Sequence, residues 1–327
     1  DKIWVAKGMK FFAVDYTGKR VSNVYKAGRL KDSPLGCHRL SSQLLRVGLH
    51  HLLPLQNGNI LVTAKRKTYI FNKNGRVVNV WEGYQGNKPG HQGVCVAPNG
   101  SIFFAEYLLN PNRDHDIHLW RSTDNGMTFH VVKTWKAGDI RHLHFVKWDE
   151  YEHCLWLGTG DYGDNGSENR LYRSADNGDS WELIGQYSQD WRAIGVCFTK
   201  DALLWGTDAG SCPDTVHFVR MDRKTHKIEK LQDFEGPCHG CASFADGRAF
   251  FSTGVEGGEN EKDNYSRMKE YKDGKCENVW KLQKDFWPLI LQYGVMRFPL
   301  GTDQCDRVVF TTMGLKGHGE CLMVENK

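Results

Sequence analysis

The sequence predicts a single all-β domain, a β-propeller of seven four-stranded antiparallel blades, with six blades as the alternative. Two observations lead to this prediction. The 327 residues include 35 Gly, 16 Phe, 12 Tyr and 11 Trp but only nine Pro, a composition typical of many short strands joined by glycine turns. Short apolar runs also recur about every 50 residues, which is the length of one propeller blade. We therefore treat residues 1–327 as one domain.

Six apolar runs, each ending on a small or polar residue, set this period. They are residues 60–63, 102–105, 155–158, 203–206, 249–252 and 308–311. Dividing the chain by this period gives close to seven units. The last unit, from about residue 290, is too short for four strands, so we expect a strand from the N-terminus to close the ring. No helix of any length is expected.

Charge and hydropathy exclude several classes of protein. Lys and Arg number 43 against 39 Asp and Glu, without a long run of either sign, which argues against a nucleic-acid-binding tail and a polybasic membrane patch. No apolar run approaches the roughly 18 residues of a membrane span. The chain opens at Asp1 without an apolar signal segment, so the compartment is undecided, with an extracellular or periplasmic location slightly favoured.

One nine-residue motif occurs twice, 52 residues apart, at residues 121–129 and 173–181. Both copies fit Ser-x-Asp-x-Gly-x-x-aromatic. In such a turn the carboxylate and hydroxyl accept hydrogen bonds from backbone amides, and the glycine takes a positive φ. The motif resembles the Asp box, or BNR repeat, of sialidase-like β-propellers. This resemblance implies that the motif holds hairpins between third and fourth strands and has no catalytic role.

Polar residues gather where a propeller has its channel mouth. The innermost strand of a blade starts, and the second strand ends, at the same rim. Residues predicted at the starts of inner strands are His50, His51, His91, Arg141, His142, His144, Trp191, Arg192, His239 and Tyr293. Residues predicted at the ends of second strands are Glu106, Tyr107, Asp161, Tyr162, Asp208 and Glu256. His142 and His144 are two residues apart, so both should face the channel.

Three chemistries could use this mouth. The first is β-elimination on an acidic, uronate-containing glycan, with arginines holding the sugar carboxylate and His or Tyr transferring protons. The second is glycoside hydrolysis by two carboxylates. The third is a divalent metal site of histidines, suited to zinc, manganese, iron or calcium. A non-catalytic propeller that binds a glycan or a protein is the remaining alternative.

We assign candidate residues to the elimination hypothesis as follows. The candidate acids and bases are His142, His144, Tyr107 and His91. The candidate substrate-binding residues are Arg141, Arg192, Glu106, Asp161, Asp208, His239, Glu256 and Tyr293, and rim aromatics including Tyr162 and Trp191 would stack on sugar rings. The metal alternative uses His142, His144, His91 and His239, whereas hydrolysis would use Glu106, Asp161, Asp208 or Glu256.

Two propeller families bear on these assignments. Sialidases carry an early Phe/Tyr-Arg-Ile-Pro segment that this N-terminus lacks, and the similar residues 296–299 lie in the last blade. The sialidase catalytic residues are therefore not transferred. The residue types at the mouth resemble those of seven-bladed polysaccharide lyases such as ulvan lyases. That resemblance implies an acidic oligo- or polysaccharide as the partner, and no nucleic acid.

Overall fold

Seven sheets follow one another along the chain and form a seven-bladed β-propeller. The computed structural model describes residues 2–28, 32–45, 47–161, 166–209, 216–259, 261–300, 302–303 and 307–325. The all-β prediction with seven blades is confirmed, and the six-bladed alternative is wrong.

Blade 1 is a three-stranded sheet followed by two short helices. Its strands are β1 (Ile3–Lys7), β2 (Lys10–Val14) and β3 (Tyr25–Lys26), and the helices are α1 (Asp32–Cys37) and α2 (Arg39–Leu45). The helices contradict the expectation of none. Residues 32–45 contain no β-branched or aromatic residue, so nothing in them favours a strand. None of the described helices has the length and apolar character needed to cross a membrane.

Blades 2 to 5 each contain four antiparallel strands in sequential order. Blade 2 comprises β4 (Leu49–Pro54), β5 (Ile60–Ala64), β6 (Lys67–Phe71) and β7 (Val77–Trp81). Blade 3 comprises β8 (Val94–Val96), β9 (Ile102–Ala105), β10 (Ile117–Ser122) and β11 (His130–Trp135). Blade 4 comprises β12 (His142–Asp149), β13 (Cys154–Gly160), β14 (Leu171–Ser174) and β15 (Glu182–Gly185). Blade 5 comprises β16 (Cys197–Phe198), β17 (Ala202–Gly206), β18 (His217–Asp222) and β19 (Ile228–Asp233).

One short strand from the blade 7 segment joins the sheet of blade 6. Blade 6 comprises β20 (Cys238–Phe244), β21 (Ala249–Thr253), β22 (Tyr265–Lys272) and β23 (Lys275–Gln283). Blade 7 comprises β24 (Val295–Arg297), β26 (Arg307–Met313) and β27 (Cys321–Glu325). Between β24 and β26, the strand β25 (Thr302–Asp303) pairs in parallel with β20 of blade 6.

The apolar runs that set the sequence period all lie in second strands, namely β5, β9, β13, β17, β21 and β26. The first five of these strands are buried on both faces, because their blades pack against a neighbour on either side. In β26 of blade 7, Thr311 is exposed. Six hydrophobic clusters fill the contacts between consecutive blades, from blades 1 and 2 to blades 6 and 7. The core is therefore a series of inter-blade layers.

The ring closes between blades 7 and 1 without a shared strand, which contradicts the expected closure by an N-terminal strand. Within the described residues, no N-terminal strand joins the last sheet. Instead, Arg39 of α2 donates to Asp285 at 2.5 Å and to Gln292 at 2.7 Å. Its guanidinium also lies 4.2 Å from the centre of the Trp287 ring. Side-chain contacts of helix α2 thus connect the two ends of the ring, where the sequence predicted a shared strand.

The two repeated motifs form hairpins between the third and fourth strands of blades 3 and 4, as predicted. In the first, Ser122 Oγ donates to Asp124 at 2.8 Å, and the amides of Met127 and Thr128 donate to the same carboxylate oxygen. Gly126 has a φ of 84°. Asp176 makes the equivalent contacts to Ser174 and Ser180 in blade 4.

The aromatic residue that ends the first motif joins two blades. Phe129 stacks on Trp81 of blade 2 with ring centres 4.0 Å apart. The hairpin is therefore an inter-blade connection, located away from the strand ends that carry the candidate site residues.

We predict that Asp124→Ala lowers the free energy of unfolding by about 1–2 kcal/mol, because several turn donors lose their acceptor. Chemical denaturation monitored by tryptophan fluorescence measures this change. Asp114→Ala is the control, since Asp114 is exposed and accepts no such hydrogen bonds. Equal stability of the two variants would contradict a structural role for the motif.

Candidate active site at the channel mouth

The predicted site residues lie at the strand ends where the sequence placed them. His51, His142 and His239 belong to the first strands β4, β12 and β20. Asp161 and Asp208 follow the second strands β13 and β17. Because both kinds of strand end meet at one rim, side chains from several blades converge there. Tyr162 lies outside the described residues.

Three histidines at this rim occupy β-bulges, which the sequence did not reveal. The strand register skips one residue at His50 in β4, at His144 in β12 and at His239 in β20. A bulged residue has no partner on the next strand, so its side chain can be turned away from the regular alternation. His144 reaches Asp161 from one of these bulges, and His142, at the start of the same strand, lies 3.4 Å from the same carboxylate.

Glycines make room for two of these rings. A Cβ on Gly160 would lie 2.5 Å from His144 Cε1, and a Cβ on Gly254 would lie 2.2 Å from His239 Cδ2. Both glycines follow or end the second strand of the same blade. Each imidazole therefore lies directly over the backbone of the neighbouring strand end.

Asp161 is the centre of the largest polar cluster. Its carboxylate accepts hydrogen bonds from Arg141 at 2.7 Å, from Arg192 at 3.1 Å and from His144 Nε2 at 3.0 Å. Burial would raise the pKa of Asp161, but contacts from His142 and His144 outweigh burial and hold the pKa well below its usual range. Asp161 is therefore ionised at any physiological pH. We call these five residues the Asp161 cluster.

The two histidines of this cluster are held from behind by backbone carbonyls. His142 Nδ1 donates to Leu108 O at 3.0 Å, and His144 Nδ1 donates to Ala193 O at 2.9 Å. His142 Nε2 lies 3.4 Å from an Asp161 oxygen without forming a hydrogen bond. Burial lowers the pKa of His142 in spite of Asp161. Both rings are almost fully buried, with 1% and 2% of their surface exposed, so neither can contact a substrate directly.

Tyr107 connects this buried cluster to the open channel. Its ring stacks on His142 with centres 4.0 Å apart, and 36% of its surface is exposed. Burial and the nearby Asp161 and Asp208 carboxylates raise the pKa of Tyr107. The phenol is therefore a neutral proton donor.

A second cluster contains Asp208, His239 and Glu256. His239 Nε2 lies 2.6 Å from Glu256 and 3.9 Å from Asp208, while Arg192 connects Asp208 to the Asp161 cluster at 3.6 Å. Burial opposes a charge on His239, but Glu256 and Asp208 outweigh burial and raise its pKa. Burial raises the pKa of Asp208 despite Arg192, whereas His239 lowers the pKa of Glu256 despite burial. The pKa values of Asp208 and Glu256 are thus shifted in opposite directions.

A cationic cavity of about 1370 Å³ lies beside Tyr107. It occupies the channel and the contact between blades 7 and 1, and its lining includes Lys2, Arg66, Lys88 and Arg297. Among the described residues that line it there is no Asp and no Glu. The cavity therefore suits an anionic ligand.

Arg297 is the partly buried cation of this cavity. No carboxylate in the described chain pairs with it, and burial lowers its pKa. His91 lies nearby, and burial together with Arg297 lowers the pKa of His91 well below its ordinary value. His91 Nε2 donates to Phe298 O at 2.8 Å, so Nδ1 of this neutral ring carries the lone pair. His51 donates to the carbonyls of Gly90 and His91 and so orients this turn.

The structure brings most of the predicted residues together but separates two of them. Glu106 is fully buried and accepts hydrogen bonds from Gln85, His118 and Trp120. His91 lies in the cationic cavity, apart from the metal-type clusters formed by the other histidines. Tyr293 is half exposed and lies beside the second cluster, since burial and the Glu256 and Asp208 carboxylates raise its pKa. Sequence reasoning missed Arg297, which it left aside with residues 296–299.

Two groups at the mouth have the donor atoms of a metal site. They are His142, His144 and Asp161, and Asp208, His239 and Glu256, with ligand atoms within 4.8 Å of one another. The backbone carbonyls behind His142 and His144 resemble the support that metal-binding histidines usually have. Arg141 and Arg192 already donate to Asp161, so their positive charges disfavour a metal cation at His142, His144 and Asp161.

Comparisons with known proteins identify the fold. No protein-family model and no curated protein matches the chain. A catalytically inactive variant of virginiamycin B lyase from Staphylococcus aureus is 14% identical, with a TM-score of 0.57 over 95% of this chain and 88% of that one. A gluconolactonase from Xanthomonas campestris is 13% identical, with a TM-score of 0.51 over 84% of each chain.

A chain of the mitotic checkpoint complex is also similar, with 10% identity and a TM-score of 0.61 over 99% of this chain and 87% of that one. Enzymes and an assembly protein thus occur among the structural neighbours, and the likeness at this identity is one of fold.

We predict that Gly160→Ala displaces His144 and lowers the free energy of unfolding by about 1–3 kcal/mol, because the new methyl group would overlap the imidazole. Denaturation measures the stability, and the ring signals of His144 in NMR spectra report its displacement. Gly48→Ala is the matched control, since a Cβ there meets no atom within 4 Å. Unchanged His144 signals would contradict the packing argument.

The His239–Glu256 pair predicts a pH window. The raised pKa of His239 gives a stabilisation that is complete below its unfolded value of 6.5 and is lost as the pH rises through the folded pKa. The lowered pKa of Glu256 gives a second stabilisation. It is complete above the unfolded pKa of 4.5 and is lost as the pH falls through the folded pKa. The pair stabilises the mouth most between these two values.

Replacement of Glu256 by Gln should therefore lower the pKa of His239. Burial favours the neutral imidazole, and the negative charge that offsets this effect is then removed. An NMR titration of the His239 ring measures this shift, with the exposed His130 as an internal reference. A His239 pKa equal to that of the wild type would show that Glu256 is not its main partner.

Proposed function

We propose that this protein is an enzyme that cleaves an acidic, uronate-containing glycan by β-elimination. The single observation that supports it best is the cationic cavity, which lacks a described carboxylate and contains a neutral imidazole, a neutral phenol and a partly buried arginine. The groups are His91, Tyr107 and Arg297. These are the residue types that elimination next to a carboxylate requires.

Arg297 is proposed to bind the substrate carboxylate. Partial burial without a described carboxylate partner disfavours the charge on this guanidinium, and an anionic ligand compensates it. Neutralising the carboxylate also acidifies the adjacent C–H bond, because the negative charge that develops on proton loss is stabilised. Lys88, which lines the same cavity, adds positive charge.

His91 is the proposed base and Tyr107 the proposed acid. Nδ1 of His91 takes the proton from the carbon next to the carboxylate, and the C–H electrons form the new carbon–carbon double bond. The bond from the neighbouring carbon to the glycosidic oxygen breaks, and the Tyr107 hydroxyl protonates that oxygen. The positive charge of Arg297 is one cause of the low pKa of His91. When the substrate carboxylate neutralises that charge, the pKa of His91 rises and His91 becomes a stronger base.

The Asp161 cluster positions Tyr107 in this proposal. His142 contacts the Tyr107 ring and is itself held between Leu108 O and Asp161. His142 and His144 are thus positioning residues because both are buried. A divalent metal such as zinc, manganese or calcium at His142, His144 and Asp161, or at Asp208, His239 and Glu256, is an extension of the proposal that a chelator tests.

Glycoside hydrolysis is the second candidate, and one observation favours it. The pKa of Asp208 is raised and that of Glu256 is lowered, which is the division expected of an acid and a nucleophile or base. Glu106 and Asp161 are unsuitable, because their oxygens already accept several hydrogen bonds. The carboxyl oxygens of Asp208 and Glu256 lie within 4.8 Å of each other and of His239, which is closer than the spacing of inverting enzymes.

The test is turnover of polyglucuronate, polygalacturonate and alginate, followed by the ultraviolet absorbance of the unsaturated uronate product, with a reducing-end assay and a chelator arm in parallel. We predict that His91→Gln, Tyr107→Phe and Arg297→Met each lower kcat/KM by about 10²-fold or more. His130→Gln, which alters an exposed outer-strand residue, is the control.

New reducing ends without absorbance would assign the chemistry to Asp208 and Glu256. Neither signal, with retained glycan binding, would make the protein a recognition module. Loss of activity with chelator would show that the reaction requires a bound divalent metal.

A further inference from the structure

Four exposed apolar residues line the cationic cavity. Leu44 of α2, Leu109 after β9, and Ile290 and Leu291 before β24 line the same cavity as Arg297. We call these four residues the apolar collar. They come from three separate segments of the chain.

The collar is exposed to an unusual degree. Ile290 is 93% exposed and Leu109 is 72% exposed. Large apolar residues scattered singly over a surface need no explanation, but exposed apolar residues that line one cavity are typical of a ligand-binding surface. The cavity of about 1370 Å³ also exceeds what a single sugar ring would fill.

We infer that the preferred ligand is an amphipathic anion, in which a carboxylate reaches Arg297 while an alkyl or aryl group attached to the same sugar packs against the apolar collar. This inference rests on the proposed function, because it assumes that the cavity binds the acidic group of the substrate. The charges support the same orientation, since Lys88 and Arg297 lie close enough to His91 to lower its pKa, whereas the collar residues carry no charge.

Isothermal titration calorimetry with methyl, phenyl and hexyl β-D-glucuronides and with hexyl β-D-glucoside tests the inference. We predict that hexyl glucuronide binds at least about tenfold more tightly than methyl glucuronide, because each methylene group that leaves water adds to the affinity. The phenyl compound distinguishes an aromatic from an alkyl group. Hexyl glucoside should bind at least tenfold more weakly than hexyl glucuronide, and Arg297→Met should remove this difference.

Collar variants provide the specificity control. Leu109→Ser and Ile290→Ser should each reduce the preference for hexyl over methyl glucuronide several-fold, with little effect on folding because both residues are exposed. Phe286→Ser is the matched control: Phe286 is 91% exposed in the same loop but does not line the cavity.

Equal affinities for the hexyl and methyl compounds, or a hexyl preference that survives in both collar variants, would overturn the inference. Turnover of uronates together with equal affinities would overturn it while leaving the proposed function intact. A collar-dependent preference without turnover of any uronate would support the inference and refute the proposed elimination chemistry.

Discussion

The arrangement of the mouth depends on one buried carboxylate. Asp161 follows β13 of blade 4, and its donors come from the start of β12 in the same blade and from Arg192 just before blade 5. Two guanidinium groups would repel one another without it. A single negative charge therefore allows Arg141 and Arg192 to lie within a small volume beside His142 and His144. Removing it would leave buried positive charge without compensation.

Backbone geometry and side-chain placement are closely connected at this rim. His144 and His239 are bulge residues, and the glycines at the ends of the adjacent strands leave space for their rings. In a regular strand successive residues point to opposite faces, and the bulges at His144 and His239 let these two side chains depart from that alternation. The propeller thus provides a rigid scaffold, and local irregularities of its inner strands direct the functional groups.

The sequence sufficed for the architecture and for the position of the mouth, because both depend on patterns within single blades. The apolar runs mark second strands, and the residues next to them, such as Asp161 and Asp208, then fall at the rim. Arg297 was not recognised because its significance lies in what surrounds it. Its cavity is lined by segments that are spread from residue 2 to residue 321. That none of the described lining residues is Asp or Glu therefore cannot be read from any local stretch of sequence. The bulges were missed for a similar reason, since register depends on the partner strand.

The closure of the ring has a consequence for how the chain folds. Because the six packed contacts between blades join segments that are neighbours in sequence, each can form soon after its two blades, at a small cost in loop entropy. The contact of Arg39 with Asp285 and Gln292 is different, since it joins residues about 250 positions apart. Ring closure should therefore be a late and separate event in folding, and an open crescent of blades is the natural intermediate before it.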